Sequence, residues 1–193
     1  MLVGLLGLQG AFLDHIPHLK RCGVDAVIVR DIDAMEAIDR LIIPGGESTV
    51  MAKFLDEFGM RAPLLRRIDD GMPVWGVCAG AILLAEQVDD GHSGSLGVLP
   101  VAVRRNAYGR QIASDTQLID IPVLGLRAYP GIFIRAPRIE SLAEGVKVHA
   151  LRGKDPVFVQ HAHIMATTFH PELNRDDWFH RFFLDIESFR NTP

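Results

Sequence analysis

The stretch that decides the fold is PVWGVCAGAILLA, residues 73–85. Its first half is a short apolar run typical of a strand buried on both faces, and its second half has the composition of a helix. Cys78 lies at the junction, between Gly76 and Gly80. This G-x-C-x-G pattern is the thiol counterpart of the G-x-S-x-G elbow, in which a sharp strand-to-helix turn exposes a nucleophile. A structural cysteine at a tight turn fits the same five residues, so the pattern alone leaves both interpretations open.

Strand-like and helix-like segments alternate on both sides of this stretch. Apolar runs at 2–8, 26–29 and 41–44 precede it, and a further run at 164–169 follows it. Strands that alternate with helices at these lengths indicate right-handed crossovers and a parallel sheet. We predict helices over about 12–22, 31–39, 48–58, a segment ending near 70, 79–88 and 176–189.

The middle of the chain has a different pattern. Four strand-like segments occur with turns between them and little helical signal: GVLPVAVRR (97–105), GIFIRAP (131–137), VKVHAL (146–151) and VFVQHAH (157–163). The sequence RGKD (152–155) is typical of a hairpin turn. We therefore predict one α/β domain over residues 1–193, with three layers, a mostly parallel sheet and an antiparallel appendage.

Composition excludes several classes of protein. Of the 193 residues, 48% are hydrophobic, which supplies a sizeable core for one domain, and no apolar run is long enough to span a membrane. The net charge of −4 argues against binding to nucleic acid. The N-terminal residues lack the features of a signal peptide, and two cysteines offer no disulfide framework. We expect a cytoplasmic protein that binds neither nucleic acid nor membrane.

The sequence HPE near the C-terminus favours a catalytic role for Cys78. In extended chain His170 and Glu172 point the same way, and Pro171 favours an extended conformation for His170. A carboxylate beside an imidazole fixes its tautomer and stabilises the imidazolium, as a base acting on a thiol requires. We therefore predict a triad of Cys78, His170 and Glu172.

The sequence PGGES (44–48) lies at another predicted strand end and supplies what a triad lacks. Gly45 and Gly46 can turn backbone N–H groups outward, and the N–H of Ala79 can join them as an oxyanion hole. A plain loop before a helix capped by Ser48 is the alternative, and the cap is compatible with both. Because ligands bind at the carboxyl ends of parallel strands, the three segments predict one site.

The other histidines do not form a convincing metal site. His161 and His163 would share one face of a strand, but no cysteine or carboxylate nearby completes a ligand set. We interpret them as solvated hairpin residues, and His15 and His18 as surface residues near the mouth of the site. No phosphate-binding glycine motif is present. We expect neither a metal nor a cofactor.

Together these residues carry a family resemblance. The cysteine elbow, HPE and PGGES resemble the triad-type, class I glutamine amidotransferases, whose sheet is flavodoxin-like. Within that family, the chain from residue 2 to about 173 is similar to the glutaminase subunits of pyridoxal 5'-phosphate synthases. That finer similarity rests on the tracts GLLGLQGAFLDH, LIIPGGEST, GVCAGAILLA, RRNAYGRQ, GIFIRAP and FHPEL. Val77 and Ala81 depart from the Thr and Leu often found there, which changes packing rather than chemistry.

The resemblance implies a role for each matching residue. Cys78 would be the nucleophile, His170 its base and Glu172 the acid that orients the base. The residues that would bind glutamine are Gly46, Glu47, Ser48, Arg105, Ile134 and Arg135. Arginines and backbone groups suit the carboxylate of glutamine.

The resemblance also implies a partner, since this one domain has no room for a second that consumes ammonia. That partner is a synthase subunit that makes pyridoxal 5'-phosphate from ammonia, ribose 5-phosphate and glyceraldehyde 3-phosphate. We expect QGAFLDHIPH (9–18) to contact it. Two alternatives stay open: the glutaminase of another amidotransferase, such as imidazole-glycerol-phosphate synthase, and a catalytically silent binding module on the same fold.

Overall fold

A seven-stranded sheet forms the centre of the molecule. The computed structural model describes residues 1–89, 94–105 and 114–188. The strands of this sheet are β1 (Leu2–Leu6), β2 (Asp25–Val29), β3 (Arg40–Ile43), β4 (Val74–Val77), β10 (Lys147–Arg152), β11 (Asp155–His161) and β12 (Ile164–Thr167). Their order is β10-β11-β12-β4-β3-β1-β2. The last five strands in this order are mutually parallel, and β11 and β10 extend the sheet antiparallel at one edge.

Helices cover both faces of the sheet. They are α1 (Ile16–Arg21), α2 (Ile32–Ala37), α3 (Ser48–Glu57), α4 (Arg61–Asp69), α5 (Ala79–Leu84) and α6 (Trp178–Asp185). One hydrophobic cluster packs α2, α3, α4 and α5 on one face, and a second packs α1 and α6 on the other. Neighbouring strand residues divide between them: Leu6 belongs to the first cluster and Leu5 to the second. The predicted three-layer α/β fold with a mostly parallel sheet is confirmed.

Two smaller sheets carry the predicted appendage. One consists of β5 (Ala85–Val88), β6 (Leu99–Arg104) and β9 (Arg138–Leu142), and the other is a hairpin of β7 (Ser114–Ile121) and β8 (Leu126–Ile134). The segments predicted at 146–151 and 157–163 do not join them but extend the main sheet. The reason lies in β11, where Val157, Phe158 and Val159 are all buried, so both faces of this strand need a cover.

Two helix predictions need correction. The helix predicted over 79–88 ends at Leu84, because Ala85 turns extended and the next residues pair with β6. The predicted helix over 12–22 is a 3₁₀ turn (Phe12–His15) followed by α1. Pro17 lies in the first turn of α1, where its missing N–H costs no hydrogen bond. Among the described residues, no helix is long and apolar enough to cross a membrane.

Candidate active site

One cleft at the carboxyl ends of the parallel strands brings the predicted site together. It has a volume of about 270 Å³. Its lining includes these predicted site residues: Gly46, Glu47, Ser48, Cys78, Ala79, Arg105, Ile134, Arg135 and His170. Glu172 does not line the cleft but is buried against His170. Gly10 and Ala11 also contribute to the lining.

Cys78 occupies a strained turn between β4 and α5. Its backbone has φ 49° and ψ −98°, a conformation that residues with a side chain rarely adopt. Its N–H donates to the carbonyl of Thr167 at 2.8 Å, and its carbonyl accepts from Ile82 in the first turn of α5. The strand, the turn and the helix are therefore joined by hydrogen bonds at the residue that carries the thiol, as the elbow predicted from sequence requires.

The flanking glycines are required by close packing. A Cβ atom at Gly76 would lie 2.6 Å from the carbonyl carbon of Gly80. A Cβ atom at Gly80 would lie 2.2 Å from the carbonyl oxygen of Ile43. Both obstacles are backbone atoms, which no rotamer change can move aside. The G-x-C-x-G spacing thus presses α5 against β3 and β4, with Cys78 at its start.

His170 and Glu172 are joined, but not by the extended chain that the sequence suggested. Pro171 begins a 3₁₀ turn (Pro171–Leu173), which Pro favours because its ring fixes φ near the helical value. The turn brings His170 Nδ1 and Glu172 Oε1 to 2.7 Å. His170 is 7% exposed and Glu172 4%. The carboxylate therefore holds one ring nitrogen and leaves the other available to the cleft.

The surroundings favour a charged imidazole. Burial by itself lowers the pKa of His170, but its hydrogen bonds with Cys78 and Glu172 outweigh burial and raise the pKa to about 10. Burial raises the pKa of Glu172, but the hydrogen bond with His170 and the charges of His15 and His170 together outweigh burial, so the net shift of this pKa is downward. A histidine held by a carboxylate in the same cleft as a thiol is placed to exchange a proton with that thiol.

The loop at Gly45 and Gly46 faces the histidine. A Cβ atom at Gly45 would lie 2.4 Å from His170 Cε1, and one at Gly46 would lie 2.3 Å from Gln9 Oε1. The Gln9 oxygen accepts from the N–H of Glu47 at 2.7 Å. The Gly45 carbonyl accepts from the N–H of Ala11 at 3.0 Å. Residues after β1 therefore hold the loop, a role for Gln9 that the sequence did not suggest.

The helix after this loop differs in one detail from the prediction. Glu47 occupies the N-cap position of α3 without a capping side-chain bond, and Ser48 is the first helical residue. Ser48 is thus not the cap. It is 5% exposed and lines the cleft.

Arg105 lines the cleft beside this helix start. Its guanidinium donates to Glu47 Oε1 at 2.7 Å and to Thr49 Oγ1 at 2.9 Å. From the end of β8, Ile134 brings its carbonyl to 3.8 Å from Cys78 Sγ, and Arg135 follows with φ 45°. The appendage thus closes the cleft over the thiol. The rest of the tract RRNAYGRQ, residues 106–111, lies outside the described residues.

The prediction for two histidines was wrong. His15 and His18 are buried, with 0% and 3% exposure, rather than on the surface. Their positions gave a signal: His15 lies three residues after Phe12 and four before Leu19, on the apolar stripe of the helical segment. His163, predicted to be solvated, is half-buried and bonds the carbonyl of Ile68. Within the described part of the chain, no three or more His, Cys, Asp or Glu side chains are arranged so that they could hold a metal ion.

Comparison with known proteins gives a consistent result. The model of the SNO glutamine amidotransferase family matches residues 5–189. Pyridoxal 5'-phosphate synthase subunit PdxT of Thermotoga neapolitana is 45% identical over 96% of this chain and 99% of that protein. The protein of that name from Thermotoga maritima is 44% identical over the same shares.

A solved structure shares the fold as well as the sequence. A crystal structure described as a glutamine amidotransferase superimposes with a TM-score of 0.90. It is 42% identical and covers 95% of this chain and 97% of that one. The chain belongs to the SNO glutamine amidotransferase family.

Proposed function

We propose that this chain is the glutaminase subunit of a pyridoxal 5'-phosphate synthase, which hydrolyses L-glutamine to L-glutamate and ammonia through Cys78, His170 and Glu172. One observation carries the triad: a thiol on a strained elbow shares a cleft with a histidine that a buried carboxylate holds at 2.7 Å. The family and the PdxT relatives support the choice of glutamine as substrate. One domain over residues 1–193 and a cytoplasmic location remain predictions.

The chemistry follows from the three side chains. The Cys78 thiolate attacks the side-chain amide carbon of glutamine, and the carbonyl oxygen becomes an oxyanion. The N–H groups of Gly46 and Ala79 are proposed to stabilise it; the N–H of Ala79, first in α5, has no partner within the helix. His170 protonates the departing ammonia, which leaves a γ-glutamyl thioester. His170 then takes a proton from water, and the hydroxide releases glutamate and the thiolate.

The rest of the cleft suits the other end of glutamine. Its ammonium calls for an acceptor and its carboxylate for donors. Glu47 offers a carboxylate, whereas Arg105 and Arg135 offer guanidinium groups around the same space. We propose that these three residues, with Gly46, Ser48 and Ile134, bind glutamine.

A synthase subunit is the proposed partner, and segment 9–18 its contact. Within this segment Gln9 bonds Glu47 and Ala11 bonds Gly45, so its position and that of the oxyanion loop are coupled. Leu13, 56% exposed, presents an apolar side chain on the same segment. Docking on this segment would order the Gly45–Gly46 loop and keep glutamine hydrolysis low until an acceptor for ammonia is present.

The test is glutamate release measured while the synthase subunit is titrated into this chain. We expect activity to rise with the partner until the complex is saturated. Cys78→Ala should lose at least about 10³-fold in kcat. Cys22→Ala is the matched control, because Cys22 is a half-buried cysteine that does not line the cleft. Full activity of the free chain would refute the coupling, and an active Cys78→Ala variant would refute the triad.

The two alternatives predict different results. A glutaminase of imidazole-glycerol-phosphate synthase would respond to that enzyme's cyclase rather than to the pyridoxal phosphate synthase subunit. A silent binding module would not react with a glutamine-analogue electrophile. We expect such an electrophile to modify Cys78, which mass spectrometry detects as an adduct on the peptide that contains this residue.

A further inference from the structure

Three buried histidines lie next to Glu172, and we call them the histidine cluster. His15 ends the 3₁₀ turn before α1, His18 lies in α1 and His180 lies in α6. They are 0%, 3% and 1% exposed. Histidine is seldom buried without a hydrogen-bonded role, so three together need an explanation.

The cluster is tightly packed. His15 Nδ1 lies 3.0 Å from His180 Nε2, which is a hydrogen bond. The rings of His18 and His180 are stacked, with centroids 4.3 Å apart and planes within 2°. His15 and His180 both meet Trp75 edge to face. These contacts fix the plane of every ring in the cluster.

His18 holds the backbone of the triad carboxylate. Its Nε2 lies 3.0 Å from the carbonyl oxygen of Glu172. A carbonyl only accepts, so this nitrogen carries the proton and donates. On its other side, His18 Nδ1 lies 2.9 Å from Asp177 Oδ1 and is also within reach of Arg21. The cluster is thus already joined to the turn that carries Glu172.

Two buried polar atoms on contacting 3₁₀ turns lack a partner. His15 Nε2 and Glu172 Oε2 have no hydrogen bond to any of the residues that the structure describes. The second oxygen of the same carboxylate, Oε1, bonds His170. Burial lowers the pKa of His15 to about 4, and the charge of Glu172 is the largest effect that opposes it. The 3₁₀ turns that carry the two residues, Phe12–His15 and Pro171–Leu173, are in contact, and leaving two buried polar atoms unpaired is costly.

The tautomer of His15 decides whether its Nε2 can donate a hydrogen bond to Glu172 Oε2. Burial lowers the pKa of His180 as well, so His15 and His180 are neutral at pH 7 and each carries one proton. If His180 donates from Nε2, His15 accepts at Nδ1 and carries its own proton on Nε2. That proton is the donor that Glu172 Oε2 lacks. The opposite tautomer would leave both buried atoms as acceptors without a donor, so the first is favoured.

We propose that His15 is a positioning residue for the triad: its Nε2–H donates to Glu172 Oε2 through one bridging water, while Oε1 accepts from His170. The proposal rests on the triad proposed above. Because His15 is neutral, it fixes the carboxylate without cancelling the negative charge that stabilises the imidazolium of His170.

Nitrogen NMR of the protein labelled with ¹⁵N-histidine tests the tautomer directly. We expect His15, assigned by its loss in His15→Gln, to show protonated Nε2 and bare Nδ1 at pH 7. The opposite tautomer would overturn the proposal, since a bare Nε2 has nothing to donate. The tautomer is measured in the wild-type chain, and the variant serves only to assign the His15 signal, provided that its other histidine signals stay in place.

Kinetics of the complex with the synthase subunit provide the second test. His15→Phe keeps the ring but removes the donor, and we expect kcat to fall about 10- to 100-fold with KM for glutamine little changed. His15→Gln places an amide N–H near the Nε2 position and should recover most of the loss. Wild-type kcat in His15→Phe, or an equal loss in both variants, would contradict a positioning role.

Two controls separate this inference from the proposed function. His149→Phe changes another partly buried histidine, which packs on Phe158 and Phe182 away from the cleft, and should leave kcat unchanged. Cys78→Ala in the same assay tests the triad itself. An inactive Cys78→Ala with a fully active His15→Phe would refute the role of His15 alone, whereas an active Cys78→Ala would refute the triad.

Discussion

The two sides of the candidate triad are built in different ways. Around Cys78 the site is made of backbone: glycines let a strand, a helix and a loop approach within distances that no side chain tolerates. Around Glu172 it is made of side chains: the 3₁₀ turn that carries this residue is held by the buried His18 of α1, which is stacked on His180 of α6. The cysteine side opens to the cleft, and the glutamate side is closed to solvent.

Because of this difference, the two sides of the site should respond differently to substitution. On the cysteine side, backbone atoms leave no room for an added atom, so a single methyl group would displace the reacting atoms. A wall built from side chains tolerates changes of shape better, but each lost donor or acceptor leaves a buried charge less well held. The cysteine side is therefore sensitive to size, and the glutamate side to hydrogen bonding.

The largest loss of kcat is expected from a substitution on the glutamate side. Glu172→Gln keeps the volume but removes the negative charge that orients His170, and should lower kcat about 10²- to 10⁴-fold. Glutamate release in the complex measures it, and circular dichroism checks that the fold is retained. Glu144→Gln, an exposed carboxylate, is the control with unchanged activity. Wild-type turnover in Glu172→Gln would give this residue a structural role only.

A smaller effect is expected from size on the cysteine side. Gly45→Ala adds one methyl group 2.4 Å from His170 Cε1, so the ring must shift, and a misplacement of this kind costs about 10²-fold in kcat. Gly59→Ala is its control, because no atom lies within 4 Å of the added group. Gly59 has φ 65°, so this control should lose roughly 1 kcal/mol of stability but no activity. Equal activity of the two variants would show that His170 tolerates movement.

The smallest effect is a change in the titration of His170, which both sides contact. NMR should show this imidazole titrating near pH 10 in the wild-type chain, and at lower pH in Glu172→Gln and in Cys78→Ala, since each removes a hydrogen bond that raises its pKa. His149 is an internal reference, because burial lowers its pKa below 6.5. A wild-type midpoint near 6.5 would show that neither neighbour stabilises the imidazolium.

The titration of His170 should also make the free energy of unfolding depend on pH. The pKa of His170 in the folded chain lies above its ordinary value of 6.5. Protonation of this group therefore contributes stability that is complete below about pH 6.5 and is lost as pH rises through about 10. His170→Gln should remove this contribution, which urea unfolding at several pH values measures.

Much of the site could be predicted because its signals are local. The elbow spans five residues, from Gly76 to Gly80, and HPE spans three, so both motifs can be identified without knowledge of distant contacts. The strand ends that carry them meet because parallel strands end at one edge of a sheet. Even here one detail was wrong, since Pro171 starts a 3₁₀ turn instead of extended chain.

Other features depended on partners far away in the chain. The helical pattern after Cys78 continues past Leu84, yet the next residues form β5 because β6, at Leu99–Arg104, offers them a strand to pair with. In this segment, pairing with a neighbouring strand outweighs the local helix propensity. In the same way, β11 becomes part of the main sheet because both of its faces are buried.

The sequence by itself thus determined the α/β class, the parallel sheet and the residues of the candidate triad, because short motifs and apolar periodicity encode them. Only the tertiary structure decided that His15 and His18 are buried. His15 bonds His180 and His18 bonds Glu172, partners 165 and 154 residues along the chain. Burial of a polar side chain depends on what packs over it, and here that cover comes from the other end of the chain.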